Sequence, residues 1–209
     1  MSPVRVREHV NPLSRKYRTA VEPPNWEAIY ANPAQPLHLD IGCGKGRFLL
    51  ALAQQQPDWN LLGLEIREPL VEQANRWGRE QGLTNLHYLF CNVNLSLRSL
   101  FQPGDLSAVT IQFPDPWFKQ RHQKRRVVQP ELVTELALLL VPGGRVFVQS
   151  DIEAVALQMR ERFEADPAFV NLAGTGNWIA DNPLGVATER ECSTLERGQP
   201  VYRAWFERS

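Results

Sequence analysis

The sequence predicts an α/β fold, with a mostly parallel sheet that carries helices on both faces. Short apolar runs alternate with longer amphipathic segments, glycine and proline separate many of them, and no internal repeat breaks the alternation. Strands separated by helices pair in parallel, because each helical crossover returns the chain to the same edge of the sheet.

The predicted elements follow from spacing and from the residues at their ends. Residues 46–56 place apolar side chains on one helical face. Pro69 and Pro130 stand at the favoured early position of two other helices, and Pro142-Gly143-Gly144 is expected to stop the second of these. The predicted strands are residues 36–42, 60–65, 86–90, 108–113, 145–149 and 201–206, and the predicted helices are residues 46–56, 69–81, 130–140 and 152–165.

The composition indicates a globular protein with one main domain. The chain has 209 residues, of which 43% are hydrophobic and 22% charged, and its formal net charge is zero. Cys43, Cys91 and Cys192 are too few and too scattered for a disulfide framework or a zinc site, so we expect no metal and a reducing, cytoplasmic setting. We also expect no signal peptide and no membrane span, because no apolar run is long enough.

We expect residues 1–33 to form a basic N-terminal arm and residues 34–209 to form the domain. The arm holds five prolines and little periodicity, with one short helix expected near Trp26–Tyr30. Its cations are candidates for contact with a polyanion, and they are Arg5, Arg7, Arg15, Lys16 and Arg18.

A glycine turn follows the first predicted strand, in the run Asp40-Ile-Gly42-Cys-Gly44-Lys-Gly46. Its spacing departs from the dinucleotide-binding pattern, and it lacks the lysine and hydroxyl pair of a phosphate-binding loop. A purely structural turn remains an alternative. If the turn binds a ligand, Asp40 repels a pyrophosphate but suits a cation, and Glu65 can accept hydrogen bonds from ribose hydroxyls. These charges favour S-adenosylmethionine over NAD.

The segment Phe113–Arg126 places one acid beside a dense run of cations. Asp115 stands between two prolines, which restrict its backbone, and five basic residues follow. In an otherwise neutral chain this local charge indicates work on a polyanion, although many basic runs are only solvated surface. The position at the end of a strand, where open α/β sheets bind ligands, favours a site. The five cations are Lys119, Arg121, Lys124, Arg125 and Arg126.

Two motifs together carry a resemblance to a known family. The glycine turn with Glu65 resembles class I S-adenosylmethionine-dependent methyltransferases, and the run Phe113–Arg126 resembles the signature of the tRNA (guanine-N7)-methyltransferase family, TrmB. Ser150-Asp151, Thr188–Glu191 and residues 198–203 extend the match to roughly residues 36–206. The resemblance implies a Rossmann-like fold with a mostly parallel seven-stranded sheet. It also implies methyl transfer to N7 of a variable-loop guanine in tRNA, with no obligatory protein partner.

The resemblance also implies roles for particular residues. Two positions depart from the family pattern: Arg190 stands where an aromatic is usual, and Phe118 stands where proline is frequent. Asn92 would reach the adenine edge, although an asparagine there is also an ordinary turn residue. The expected cofactor contacts are Asp40, Gly42, Gly44, Gly46, Glu65, Asn92 and Asp115, the expected substrate contacts are Lys119, Asp151, Thr188, Glu189, Arg190 and Glu191, and the expected RNA-backbone contacts are Arg121, Lys124, Arg125 and Arg126.

The chemistry of the implied reaction limits what Asp115 needs to do. Guanine N7 has a free lone pair and loses no proton on methylation, so a general base is unnecessary. We expect in-line transfer, with Asp115 as the catalytic residue that positions the reactants or stabilises the cationic product. Asp115 can alternatively accept hydrogen bonds from the guanine edge or from the ammonium of the cofactor. Trp117 either stacks on the guanine or anchors the loop.

Two other hypotheses remain open from the sequence. One is a methyltransferase that acts on a protein or a small molecule, for which the basic run has no evident use. The other is an RNA-binding module with a vestigial pocket, which the intact set of Asp40, three glycines and Glu65 disfavours.

Overall fold

The structure is a computed structural model and describes residues 10–209, in which seven strands form one sheet. The strands are β1 (Leu37–Ile41), β2 (Asn60–Glu65), β3 (Leu86–Phe90), β4 (Leu106–Gln112), β5 (Leu140–Ser150), β6 (Phe169–Asn171) and β7 (Tyr202–Arg208). The strand order is β3-β2-β1-β4-β5-β7-β6; β7 pairs antiparallel with β5 and β6, and all other neighbouring strands pair in parallel. The predicted α/β fold with a mostly parallel seven-stranded sheet is therefore confirmed.

Helices cover both faces of the sheet and divide the core in two. The helices of the described chain are α1 (Trp26–Ile29), α2 (Arg47–Gln55), α3 (Glu68–Glu80), α4 (Val93–Leu100), α5 (Pro130–Leu139), α6 (Glu153–Glu164) and α7 (Glu189–Glu196), with 3-10 turns at Arg15–Tyr17 and Gln120–Arg125. Side chains of a strand alternate between faces, so Leu61 belongs to a core cluster with side chains of α2 and α3, and Leu62 belongs to the cluster that contains side chains of α4, α5 and α6.

Four features differ from the sequence prediction. Strand β5 begins at Leu140, so the Pro142-Gly143-Gly144 run lies inside a strand and does not stop the preceding helix, which ends at Leu139. The pairing of β4 with β5 shifts register at this point, and such irregularities tolerate proline and glycine. The sequence prediction also lacked the short elements α4, β6 and α7.

The described part of the N-terminal arm, residues 10–33, packs against the domain. The Tyr30 hydroxyl donates to the Leu61 carbonyl at 3.1 Å, and Trp26 stacks on Phe101 with the ring planes 8° apart. The Ser99 hydroxyl donates to the Val21 carbonyl at 2.7 Å. The predicted helix near Trp26–Tyr30 is confirmed as α1, whereas Arg5 and Arg7 lie outside the described residues.

None of the helices within residues 10–209 combines the length and the apolar character that crossing a membrane requires.

Candidate active site

A cavity of about 150 Å³ opens at the carboxyl edge of the sheet. It lies beside β1 and β4, where the strand order reverses, which is the usual ligand position in open α/β sheets. The lining includes Val10, Pro12, Gly42, Glu65, Arg67, Cys91, Asn92, Phe113, Asp115, Trp117 and Arg125.

The glycines of the turn after β1 serve different purposes. A Cβ at Gly42 would meet nothing within 4 Å, so this glycine leaves open space beside the cavity that it lines. A Cβ at Gly46 would lie 2.6 Å from the Tyr88 ring, and φ there is +75°, so Gly46 serves the packing of α2 against β3. The Tyr88 hydroxyl donates to the Gly46 carbonyl at 2.5 Å and fixes that contact.

Glu65, at the end of β2, presents a buried and fully oriented carboxylate to the cavity. The backbone N–H groups of Gly44 and Arg67 donate to it at 2.9 and 3.0 Å. The Arg67 guanidinium also donates to both carboxylate oxygens, at 3.0 and 2.9 Å. These four hydrogen bonds fix the Glu65 carboxylate in the cavity wall and fill its acceptor positions, so a ligand hydroxyl that bonds to it has to replace one of the present donors.

Asp40 lies one layer behind the cavity. It is buried in β1, and the Thr110 hydroxyl of β4 donates to it at 2.6 Å. Burial raises the pKa of Asp40 to about 7, with repulsion from Glu65 adding to the rise and hydrogen bonds from Thr110 and Gln112 opposing it. The cavity lining does not include Asp40, so the structure places this predicted cofactor contact behind Gly42.

Asn92, the residue before α4, joins the N-terminal arm to the cavity. Its side-chain amide donates to the carbonyls of Pro12 and Tyr17, both at 3.1 Å. Val10 and Pro12 line the same cavity. The residue predicted to read an adenine edge therefore also holds the arm against the cavity.

The Pro-Asp-Pro loop leaves β4 and returns Asp115 to the cavity. The Phe113 N–H donates to the Gln149 carbonyl at 2.8 Å, which extends the pairing of β4 with β5 by one residue. Phe113 and Trp117 have φ values of +48° and +43°, a region that residues other than glycine seldom adopt. Asp115 lies between these two aromatic residues, and all three line the cavity.

Trp117 lines the cavity and also makes contacts that fix the loop in place. His122 packs edge-on against its ring with centroids 5.9 Å apart, and the Arg125 guanidinium lies 5.0 Å from its ring centroid. Arg126 is 8% exposed and donates to the Pro116 carbonyl at 2.7 Å and to Gln158 at 2.8 Å. Two of the predicted RNA-backbone contacts, Arg125 and Arg126, therefore brace the loop.

The remaining cations of the basic run face solvent. Lys119, Arg121 and Lys124 are exposed, in and beside the 3-10 turn that follows the loop. Of the five cations in the basic run, Arg125 and Arg126 therefore stabilise the loop, and the other three are exposed to solvent.

Helix α7 begins at the motif Thr188–Glu191 and is fixed by a buried polar network. Thr188 caps the helix, with its hydroxyl accepting from the Glu191 N–H at 3.1 Å. The Glu191 carboxylate is 2% exposed and accepts from Arg203 at 2.8 Å, Asn182 at 2.9 Å and Gln149 at 3.0 Å. These partners tie α7 to β5 and β7 and fix the first turn of the helix.

The two other residues of that motif make ion pairs at the surface. Arg190 donates to Asp151 through Nε and Nη2, at 3.0 and 2.8 Å. Glu189 pairs with Arg47 and lies 3.8 Å from the Lys45 ammonium, so it connects α7 to the glycine turn. The structure brings Asp151 and Arg190 together but does not include either in the cavity lining.

Sequence reasoning missed Arg67, Gln149 and Arg203. Arg67 follows Glu65 by two residues, a spacing that could have indicated a turn-stabilising pair. Gln149 and Arg203 contact Glu191 because β5 and β7 are neighbouring strands. No local sequence pattern predicts a contact between these strands. Across residues 10–209, no cluster of histidine, cysteine and acidic residues could hold a metal ion.

Comparison with known sequences agrees with this geometry. Residues 34–204 match the profile of a family described as a putative methyltransferase. A tRNA (guanine-N(7)-)-methyltransferase from Nostoc sp. is 62% identical, covering 99% of this chain and 95% of the relative. The enzyme of that name from Synechocystis sp. is 56% identical over the full length of both chains.

Solved structures with low sequence identity show the same fold. The 16S rRNA methyltransferase KamB aligns with a TM-score of 0.59 at 16% identity, covering 88% of this chain and 91% of its own. A geranyl diphosphate C-methyltransferase from Streptomyces coelicolor, solved with S-adenosyl-L-homocysteine, aligns with a TM-score of 0.53, covering 88% of this chain and 78% of its own. Taken with the close relatives, the cavity and the motifs lead to one conclusion: the chain belongs to the tRNA (guanine-N(7)-)-methyltransferase family.

Proposed function

We propose that this protein transfers a methyl group from S-adenosylmethionine to N7 of a guanine in the variable loop of tRNA. The observation that carries the proposal is a cavity with two carboxylates next to a run of exposed cations. Glu65 and Asp115 line this single cavity, and the exposed Lys119, Arg121 and Lys124 follow in the chain, between the lining residues Trp117 and Arg125. A cationic small ligand and a polyanionic substrate therefore have adjoining sites.

The residues of the cavity fit S-adenosylmethionine. Glu65 would accept from ribose hydroxyls in place of one of its present donors, and Gly42 leaves room beside the cavity. Asp115 adds a second carboxylate to the lining, which suits an ammonium or a sulfonium. Asn92 would contact the adenine edge. Asp40, Gly44 and Gly46 would act from behind, by holding the turn.

The protein's contribution to the reaction is positioning and charge. The bound cofactor would supply an electrophilic methyl group on its sulfonium. Asp115, held in its strained loop, orients the guanine and favours the positive charge that develops on its ring, and it takes no proton. Holding two reactants in line removes on the order of 7–11 kcal/mol of barrier, so positioning is the larger share.

The substrate side is built from α7 and the Pro-Asp-Pro loop. Asp151, Thr188, Glu189 and Arg190 lie at or beside the first turn of α7, where they can meet the guanine and its nucleotide. Glu191 contributes by fixing that turn from within the core. Lys119, Arg121 and Lys124 contact phosphates, whereas Arg125 and Arg126 hold the loop that carries Asp115.

Methyl transfer to tRNA also indicates where the protein works. Three scattered cysteines are typical of a protein in a reducing compartment, and we propose the cytoplasm as its location. The proposal includes no obligatory protein partner.

A labelling experiment tests the proposal. The protein is incubated with methyl-labelled S-adenosylmethionine and tRNA transcribed in vitro, and the tRNA is digested to nucleosides. We expect the label in N7-methylguanosine, and no transfer to a tRNA whose variable-loop guanine is replaced by adenine. Label in another nucleoside would contradict the position, label confined to protein or small molecules from an added extract would favour a different substrate, and no transfer at all would favour a binding module.

A further inference from the structure

Phe118 has the largest exposed fraction, 74%, of the large apolar side chains in residues 10–209. Single exposed apolar residues are ordinary on protein surfaces, so this fraction alone assigns no role. The position of Phe118 is more informative. It lies three residues after Asp115 and directly after Trp117, which lines the cavity, but it does not line the cavity itself. Of these two consecutive aromatic residues, Trp117 therefore faces the cavity and Phe118 faces the solvent.

The loop holds Phe118 in this exposed position. Trp117 has a φ of +43°, and a residue other than glycine keeps such a conformation only when its surroundings impose it. Those surroundings are the edge-on contact with His122, the Arg125 guanidinium near the ring, and the bond from Arg126 to the Pro116 carbonyl. Phe118 is therefore exposed on a braced loop.

The side chains around Phe118 indicate the kind of partner. Lys119, Gln120 and Arg121 follow it and are all exposed. A protein-binding patch would need contiguous apolar neighbours, and this neighbourhood is cationic and polar. An aromatic face beside cations is the combination by which proteins hold unstacked bases of RNA.

We propose that Phe118 stacks on a nucleobase of the tRNA that neighbours the target guanine. The inference rests on the function proposed above, and it adds a contact with a second base. Phe118 lies outside the cavity, so the base that it contacts is distinct from the guanine beside Asp115. Stacking on Phe118 replaces part of the base–base stacking that is lost when the target guanine leaves its place in the folded tRNA.

Steady-state kinetics of two substitutions test this inference. Phe118→Leu removes the aromatic face and keeps an apolar side chain, whereas Phe118→Trp keeps an aromatic face. We expect Phe118→Leu to raise the KM for tRNA by about fivefold to a hundredfold, the range for loss of one base–aromatic stack, and Phe118→Trp to stay within about twofold of the unmodified protein. S-adenosylmethionine affinity should not change. Leu138→Ala, at another exposed apolar position on α5, is the matched control.

A fluorescence measurement separates stacking from a purely structural role. The probe is tRNA with 2-aminopurine at a nucleotide flanking the target guanine, placed on each side in turn. Binding should quench one probe with the unmodified protein and with Phe118→Trp, and leave it unquenched with Phe118→Leu. The inference is overturned if Phe118→Leu keeps the normal KM, or if both variants lose affinity equally. Absence of tRNA methylation by the unmodified protein would instead overturn the proposed function.

Discussion

Two buried glutamates, each paired with an arginine, perform different tasks in this molecule. Glu65 is held by Arg67, and both residues line the cavity. Glu191 is held by Arg203, with both side chains sealed in the core between α7 and the sheet. Both pairs join a carboxylate to a guanidinium, but Glu65 also accepts from backbone N–H groups and lines the cavity, whereas Glu191 also accepts from two side-chain amides and does not line the cavity.

That difference indicates what each carboxylate can do. A buried carboxylate at a cavity can accept hydrogen bonds from a ligand while its partner still compensates its charge. A sealed carboxylate can act only through the elements that it holds, and Glu191 holds the first turn of α7. We therefore propose that Glu65 binds a ligand and that Glu191 positions α7, although sequence motifs place both among the ligand contacts.

Removal of the buried Glu191 charge should have the largest effect on stability. Glu191→Gln leaves the Arg203 guanidinium buried without its counter-charge, so we expect the free energy of unfolding to fall by about 3–5 kcal/mol. Urea denaturation measures this change. Combining Glu191→Gln with Arg203→Met should cost less than the sum of the two single substitutions. Exactly additive costs would contradict the pairing. Glu189→Gln, an exposed acid on the same helix, is the control and should cost less than about 1 kcal/mol.

Asp40 is a third buried carboxylate, and its stability contribution should depend on pH. Its pKa is raised to about 7 in the folded protein from the ordinary 3.8, so the folded state binds the proton more tightly than the unfolded state. Stability should therefore be highest below pH 4 for this group and should fall as the pH rises to 7, by up to about 1.4 kcal/mol per pH unit. Asp40→Asn should remove this component in denaturation measured between pH 4 and 8. Parallel pH profiles for the two proteins would contradict a buried, protonated Asp40.

Neutralising the cavity glutamate should affect binding more than folding. Glu65→Gln keeps the shape but weakens the hydrogen bonds to ribose hydroxyls, so we expect S-adenosylmethionine affinity to fall by about tenfold to a hundredfold. Isothermal titration calorimetry measures this affinity. Glu68→Gln, at an exposed acid in the first turn of α3, should leave it unchanged. Equal affinities for the Glu65→Gln variant and the unmodified protein would place the ribose elsewhere.

The smallest expected effect concerns the basic run, where exposed cations should contact phosphates and the cations that hold the loop should not. Substituting Arg121 and Lys124 together with alanine should flatten the dependence of log K for tRNA on log salt by about 1.4–1.8, since two phosphate contacts are lost. Filter binding between low and moderate salt measures this slope. The pair Arg76 and Arg79, exposed on α3, is the matched control and should leave the slope unchanged. An unchanged slope after loss of Arg121 and Lys124 would remove them from the interface.

Local patterns were sufficient to predict six of the seven strands and to place two carboxylates at the edge where the cavity opens. Glu65 ends one strand that apolar spacing identifies and Asp115 follows another by three residues, and parallel strands bring their carboxyl ends to one edge. The division of the basic run was not predictable, because Arg126 is buried through contacts with Pro116 and with Gln158 on α6. The role of Glu191 likewise depends on Arg203, twelve residues away on β7.

Asp115 joins the two halves of the site that we propose, and the central proposal is that its carboxylate assists transfer to N7 without taking a proton. Single-turnover methyl transfer to tRNA, with the unmodified protein and Asp115→Asn in H2O and in D2O, tests this claim directly. We expect no solvent isotope effect, and a rate for Asp115→Asn that is lower by about 10²–10³-fold but still measurable, as for loss of one preorganised charge. A clear solvent isotope effect, together with an inactive Asp115→Asn that still binds tRNA, would identify Asp115 as a base and contradict the account.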